Sequence, residues 1–133
     1  MCSTFKNGKL LDSAGAWVAV KPFVAGGAAA VNTGAAPILL KAAVASKRHW
    51  ITKVLLANKT AGEYPVAEIV EDPAGTPAVV LTLVPQCVSA ASMGEKVVDF
   101  DPPVECTVAK ALGYQLQSAT GDCYCQLCGF VEA

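Results

Sequence analysis

The chain has 133 residues, 53% of them hydrophobic and 16% charged, with a formal net charge of −1. That length suits one domain, and the composition is too apolar for a disordered segment. Lys and Arg are scattered, with no denser group than Lys47–Arg48, which sets aside the basic stripe of a nucleic-acid binder.

Membrane and export signals are equally weak. A membrane-crossing helix needs roughly 18–20 uninterrupted apolar residues. Residues 23–45 come closest, but Gly26, Gly27, Asn32, Gly34, Pro37 and Lys41 break the run. The start, from Met1 to Lys6, lacks an apolar signal-peptide core, so synthesis and folding in a cytoplasm are expected.

Most segments alternate, or run apolar for five to nine residues between Gly, Pro, Asn or Asp clusters, which is a strand-and-turn pattern. Residues 1–16 read as a loose N-terminal arm, with an Asn7–Gly8 turn signal before Leu10 and Leu11; residues 17–133 read as one sandwich domain. Residues 17–24 predict a strand in which Pro22 marks an edge or bulge, and Gly26–Gly27 predicts a turn. Val31 suits a short strand before Asn32–Thr33–Gly34, and residues 37–45 a strand despite their Ala content. The clearest strand is 50–57, with Trp50, Thr52, Val54 and Leu56 on one face and Ile51, Lys53, Leu55 and Ala57 on the other. A turn over 58–63 and a strand over 66–70 follow, then a turn over 71–75. Residues 78–84 are apolar on both faces, as in a central strand of a sandwich. Strands are predicted at 97–100, stopped by Asp101–Pro102–Pro103, and at 104–108 and 113–118. After a Thr120–Gly121–Asp122 turn, residues 123–131 form the last strand. Eight to ten short strands at this spacing predict an all-β, jelly-roll-like sandwich.

The stretch 48–131 resembles a group of small β-sandwich proteins on tailed-bacteriophage virions, of the capsid decoration or cement type. The residues that carry the likeness are 51–58, Phe100–Asp101–Pro102–Pro103, Ala111–Leu112–Gly113–Tyr114, Thr120–Gly121–Asp122 and the closing run 124–130. The resemblance implies a trimer or other cyclic oligomer seated on a shell of major capsid protein, on the outside of a virion. The Cys-rich last strand and the Ala-rich first third depart from the pattern.

Six cysteines occur: Cys2, Cys87, Cys106, Cys123, Cys125 and Cys128. Three uses compete. A zinc site would want four tetrahedral ligands, and Cys123, Cys125 and Cys128 with Cys106 could offer them. However, the paired Cys-x-x-Cys signature is missing, and in a strand Cys128 points away from the other two. Disulfides could staple subunits after release from a reducing cytoplasm, with pairing unreadable from sequence. Otherwise each thiol is a small buried hydrophobe, the reading that suits Cys87 and Cys106 best.

The remaining residues point away from catalysis. His49, the only histidine, sits between Arg48 and Trp50 with no nucleophile or orienting acid nearby, so a surface or interface role is expected rather than general-base chemistry. Glu68, Glu71, Asp72, Asp99 and Asp101 fall at strand edges and turns, where solvated charges belong; no spacing among them requires a glycosidase pair. Asp99–Phe100–Asp101 lacks a full calcium-loop pattern. Trp17, Trp50, Tyr64, Phe100, Tyr114 and Phe130 read as core fillers, and Gly26–Gly27 is no phosphate cradle, since no Lys-Ser/Thr follows. The expectation is therefore a non-enzymatic structural protein without cofactor, decorating a bacteriophage capsid as a homo-oligomer in contact with the major capsid protein. A tail, neck or fibre-tip protein of the same fold and a carbohydrate-binding module are the rival expectations.

Overall fold

The computed structural model describes residues 5–32, 36–58, 66–83, 95–116 and 123–133. These form the strands β1 (Phe5–Lys6), β2 (Lys9–Leu11), β3 (Trp17–Asn32), β4 (Ile38–Lys41), β5 (His49–Asn58), β6 (Ala67–Glu71), β7 (Ala78–Leu83), β8 (Glu95–Glu105), β9 (Leu112–Leu116) and β10 (Cys123–Glu132). All pairings are antiparallel. One sheet runs β1-β2-β3-β10-β5-β8 and the other β4-β9-β6-β7.

The topology is a jelly roll. From β3 onward the chain pairs first with last, as one long hairpin would: β3 with β10, β4 with β9, β5 with β8, and β6 with β7. Rolling that hairpin brings β10 against β5 and β9 against β6. The result is two packed four-stranded sheets, the double Greek key of a jelly roll, with β1 and β2 added beyond β3.

Alternation builds the core. Val54 and Leu56 of β5, Ala67 and Ile69 of β6, Leu112, Tyr114 and Leu116 of β9, and Cys125 and Leu127 of β10 point into one buried cluster between the sheets. Small residues let the backbones meet. At Gly129 a first side-chain carbon would lie 1.9 Å from the Trp50 carbonyl oxygen, so only glycine fits beside β5 there. Gly26 takes a φ of +84°, and a carbon added to it would stand 2.3 Å from the Cys125 carbonyl oxygen.

Several strands differ from the sequence expectation, each for a visible reason. Gly26–Gly27 does not turn the chain; β3 continues to Asn32 through an irregularity in which Cys125 faces Gly27 while Tyr124 faces Val31. Pro22 sits beyond Ala19, the last residue of β3 paired with β2, where β3 has one ladder partner and a missing N–H is tolerated. Asp101–Pro102–Pro103 does not end a strand, because β8 is an edge strand and runs through it. Residues 78–83 form an edge strand rather than a central one. Thr52 is the extra residue of a bulge, since Ile51 pairs with Gly129 and Lys53 with Cys128. The bulge reverses the alternation, so Ile51, rather than Trp50, joins Val54 and Leu56 in the core. The turns expected over 58–63, 32–34 and 120–122 fall largely outside the described residues.

The N-terminal segment also departs from expectation. Residues 5–16 are not a loose arm. Asn7 and Gly8, both at positive φ, close a two-residue hairpin turn of the kind Asn-Gly favours. β2 then pairs with the first residues of β3. The physical reason is that Leu10 is apolar and finds cover, being only 1% exposed, while the Phe5 ring stacks on Phe130 at 4.8 Å between centroids. Leu10→Ala should therefore cost ~2–5 kcal/mol of stability, the usual range for a buried leucine, read as a drop in the urea midpoint. A loss below about 0.5 kcal/mol would be that of a surface residue and would restore the loose arm.

Candidate functional site

The strongest polar cluster lies where the hairpin meets the six-stranded sheet. Arg48, just before β5, reaches Asp12 at 3.3 Å and Glu105 at 3.5 Å and hydrogen-bonds Glu132 through Nε. Its guanidinium lies 5.0 Å from the Trp50 ring centroid, which seals that indole on the outer face of the sheet. Ser13 donates to Glu105 from its hydroxyl at 2.7 Å and its amide at 3.2 Å. Hydrogen bonding to Glu132 raises the Arg48 pKa most, against the opposing effect of burial, with the charges of Glu132 and Glu105 and the Asp12 hydrogen bond adding to the rise. The Ala16 amide holds the Asp12 carboxyl below its ordinary value, opposed by burial and supported by Arg48 and the Ala14 amide. One cation thus ties β2's end, β8 and β10 together. In sequence Arg48 stood out only as half of a basic pair.

His49 is not at the surface. Its ring is buried, sits edge-on to Phe23 at 5.5 Å between centroids, and neither nitrogen makes a well-formed hydrogen bond. The bulge at Thr52 places it inward, away from Arg48. Burial, then the nearby Lys41 ammonium, lowers its pKa from 6.5, only partly opposed by the Lys110 backbone. A ring closed off from solvent is a packing element rather than a base awaiting substrate.

The other residues singled out by sequence are dispersed. Glu71, expected in solvent, is buried and accepts the Thr107 amide hydrogen at 2.7 Å. Glu68 accepts from Gln115 Nε2 at 2.9 Å. Asp72, at a φ of 56°, faces Lys110 at 3.8 Å. Asp99 pairs with Lys53 at 3.6 Å, and Asp101, farther along the same strand β8, is exposed. Among the described residues no three His, Cys, Asp or Glu side chains gather as metal ligands.

Cys106 and Cys128 are free thiols, and Cys125 forms no disulfide. Cys125 points into the core and Cys128 out of it, as strand alternation requires. Burial, reinforced by the charges of Glu71 and Glu105, pushes the Cys106 thiol up to about 12, which makes it inert. Cys2, Cys87 and the side chain of Cys123 lie outside the described residues.

What the strand pattern did not reveal is the outer face of the six-stranded sheet. Away from the hairpin it carries Val24, Cys128, Leu55 and Val97, joined by the register pairs Cys128↔Val24 and Leu55↔Val97. Val24 is 66% exposed and Val97 47%. The Lys53–Asp99 ion pair crosses this band. The solvent face of an antiparallel sheet normally reads polar; here Val24, Cys128, Leu55 and Val97 share it with Lys53, Asp99 and Gln126.

The sequence matches no protein-family model and no curated protein. One solved structure that aligns with it is the cryo-EM structure of the giant freshwater prawn Macrobrachium rosenbergii extra small virus (XSV) VLP, at 9% identity, covering 86% of this chain and 79% of that one with a TM-score of 0.40. A likeness of that degree establishes neither kinship nor function.

His49 yields a signed prediction. Its folded pKa lies below the unfolded value of 6.5, so the unfolded state takes up a proton first as pH falls. His49's contribution to stability is then complete above about pH 6.5 and declines as pH drops through that value to the lowered folded pKa. Urea unfolding of wild type and His49→Leu between pH 8 and pH 5 should show a downward slope in the wild type that the variant flattens. Parallel profiles would mean the imidazole titrates alike in both states.

Proposed function

We propose that this protein is a structural component of a virion, decorating the outside of a tailed-bacteriophage head as a homo-oligomer bound to the shell of major capsid protein. The jelly roll alone does not decide this, since capsid proteins, lectins and cupins share the architecture. The observation that carries the reading is the apolar band Val24, Cys128, Leu55 and Val97 on the outer face of a sheet whose inner face already fills the core. Apolar side chains left exposed together on one sheet face are a feature of protein contact surfaces. The charged fraction of 16% is low for a free monomer, and fits a protein enclosed by neighbours. The sequence pattern over 48–131 supplies the phage context.

The mechanism is passive. Burying the band across subunit boundaries releases water from apolar surface, and the Lys53–Asp99 pair fixes orientation more than it adds affinity. The docked hairpin makes each subunit self-contained at that end, so the link between subunits runs through sheet faces rather than through an extended arm. Cys128 lies within the band, where a neighbouring subunit would cover its thiol.

Charge placed in the band tests this. Val24→Glu with Val97→Glu should leave the melting temperature nearly unchanged, as expected for exposed sites. The same pair should lower shell occupancy in co-sedimentation with purified heads, or self-association in analytical ultracentrifugation, at least tenfold. A folded double variant that associates like the wild type would remove the outer face as the interface.

A further inference from the structure

A second surface lies on the N-terminal ribbon, and the assembly reading does not use it. The register Lys6↔Lys9↔Ala19 and Leu11↔Trp17 puts Lys6, Lys9, Leu11, Trp17 and Ala19 on one face, all exposed. Leu10, on the opposite face, is buried. Lys6 and Lys9 stand directly across from each other on paired strands, an arrangement in which like charges repel. No carboxylate among the described residues pairs with either lysine. Asp12, the acid of the same hairpin, is turned to Arg48. The face therefore holds two uncompensated positive charges on a chain whose net charge is −1.

Beside them, Trp17 leaves 46% of its surface exposed. Lys6, Asn7, Lys9 and Trp17 line an open hollow of about 250 Å³. Pockets for drug-sized ligands run from about 300 to 1,000 Å³, so this one suits a single ring. Gly8, at the turn, would have nothing within 4 Å of an added side-chain carbon, so the rim is open to a ligand that continues outward.

We infer that this hollow binds an acidic sugar residue at the end of a glycan. The apolar C–H face of the pyranose would lie on the Trp17 indole, which offers a flat, rigid contact. The carboxylate would sit between the Lys6 and Lys9 ammonium groups as a charge-assisted hydrogen-bond acceptor, relieving their repulsion. The Asn7 amide, both donor and acceptor, would meet a ring hydroxyl. A lone indole over a ring-sized hollow fits this ligand better than an acidic protein surface, which needs a larger patch. This site stands whether or not the sheet face is an assembly interface, since the two surfaces share no residue.

The test is an NMR titration of the full-length ¹⁵N-labelled protein with 3′-sialyllactose and with digalacturonate, using lactose as the neutral control. At least one acidic probe should shift the Trp17 indole N–H and the Lys6 and Lys9 amides saturably, with a Kd on the order of 1 mM, about −4 kcal/mol. Lactose should bind at least tenfold more weakly. Lys6→Gln with Lys9→Gln, and separately Trp17→Ala, should each weaken binding tenfold or more while the remaining spectrum keeps its wild-type positions. The inference fails if neither acidic probe shifts these resonances, or if lactose matches them. It also fails if adenosine monophosphate or a polyglutamate peptide binds the same residues equally well, since the site would then read charge alone.

Discussion

Strand β10 has a hydrogen-bonded neighbour along both edges, and the rest of the sandwich depends on that double pairing. Its register against β3 and β5 decides which side chains face the core: Cys125 and Leu127 inward, Cys128 outward. A slip of one residue would reverse every one of them. Gly129 holds the register at one end, because only a residue without a side chain can approach Trp50's carbonyl so closely. The bulge at Thr52 sits beside it, and the Thr52 hydroxyl donates to the Cys128 carbonyl at 3.1 Å. From that point Ile51 enters the core while Trp50 turns to the outer face, beneath Arg48.

This one irregularity divides the outer face into two regions. Toward the chain's N-terminal hairpin, Trp50 and Phe130 are covered by Arg48 and Phe5, and Arg48 binds its three carboxylates there. At the other end nothing in the described residues covers Val24 or Val97. The same sheet is thus covered by the protein's own residues at one end and leaves Val24 and Val97 exposed at the other. The assembly reading rests on that asymmetry.

Much of the fold was legible in the sequence, because strand rhythm depends on local patterns. The strand over β5 and the last strand were placed within a residue or so, and Asn7–Gly8 announced its turn. Where legibility failed, the cause was pairing, which sequence does not display. Gly26–Gly27 suits a turn by its φ preferences, yet β10 holds it in a strand. Pro102–Pro103 interrupts the ladder to β5, whose partners skip from Asp99 to Val104, yet the edge strand β8 resumes beyond it. The largely apolar run of β7 suggested a central strand, yet it lies at the edge of its sheet. The hairpin looked loose because a few polar residues masked a single buried leucine. The candidate sites were less legible still. The sequence suggests a surface or interface role for His49 because the parity change at Thr52 is invisible in the chain. The partnership of Lys6, Lys9 and Trp17 needed the register, as did the grouping of Val24, Cys128, Leu55 and Val97 on four adjacent strands.

The central claim is that the outer face of the six-stranded sheet is where this protein meets its assembly. Cryo-electron microscopy of virions purified from cells that make the protein measures this most directly. The account predicts a jelly roll at regular positions on the head exterior, in hundreds of copies, with Val24 and Val97 buried against a neighbour. Copies confined to the tail or neck would keep the structural class and contradict the shell role. Absence from the particle, or a head-bound copy whose Val24 and Val97 face solvent, would contradict the account itself.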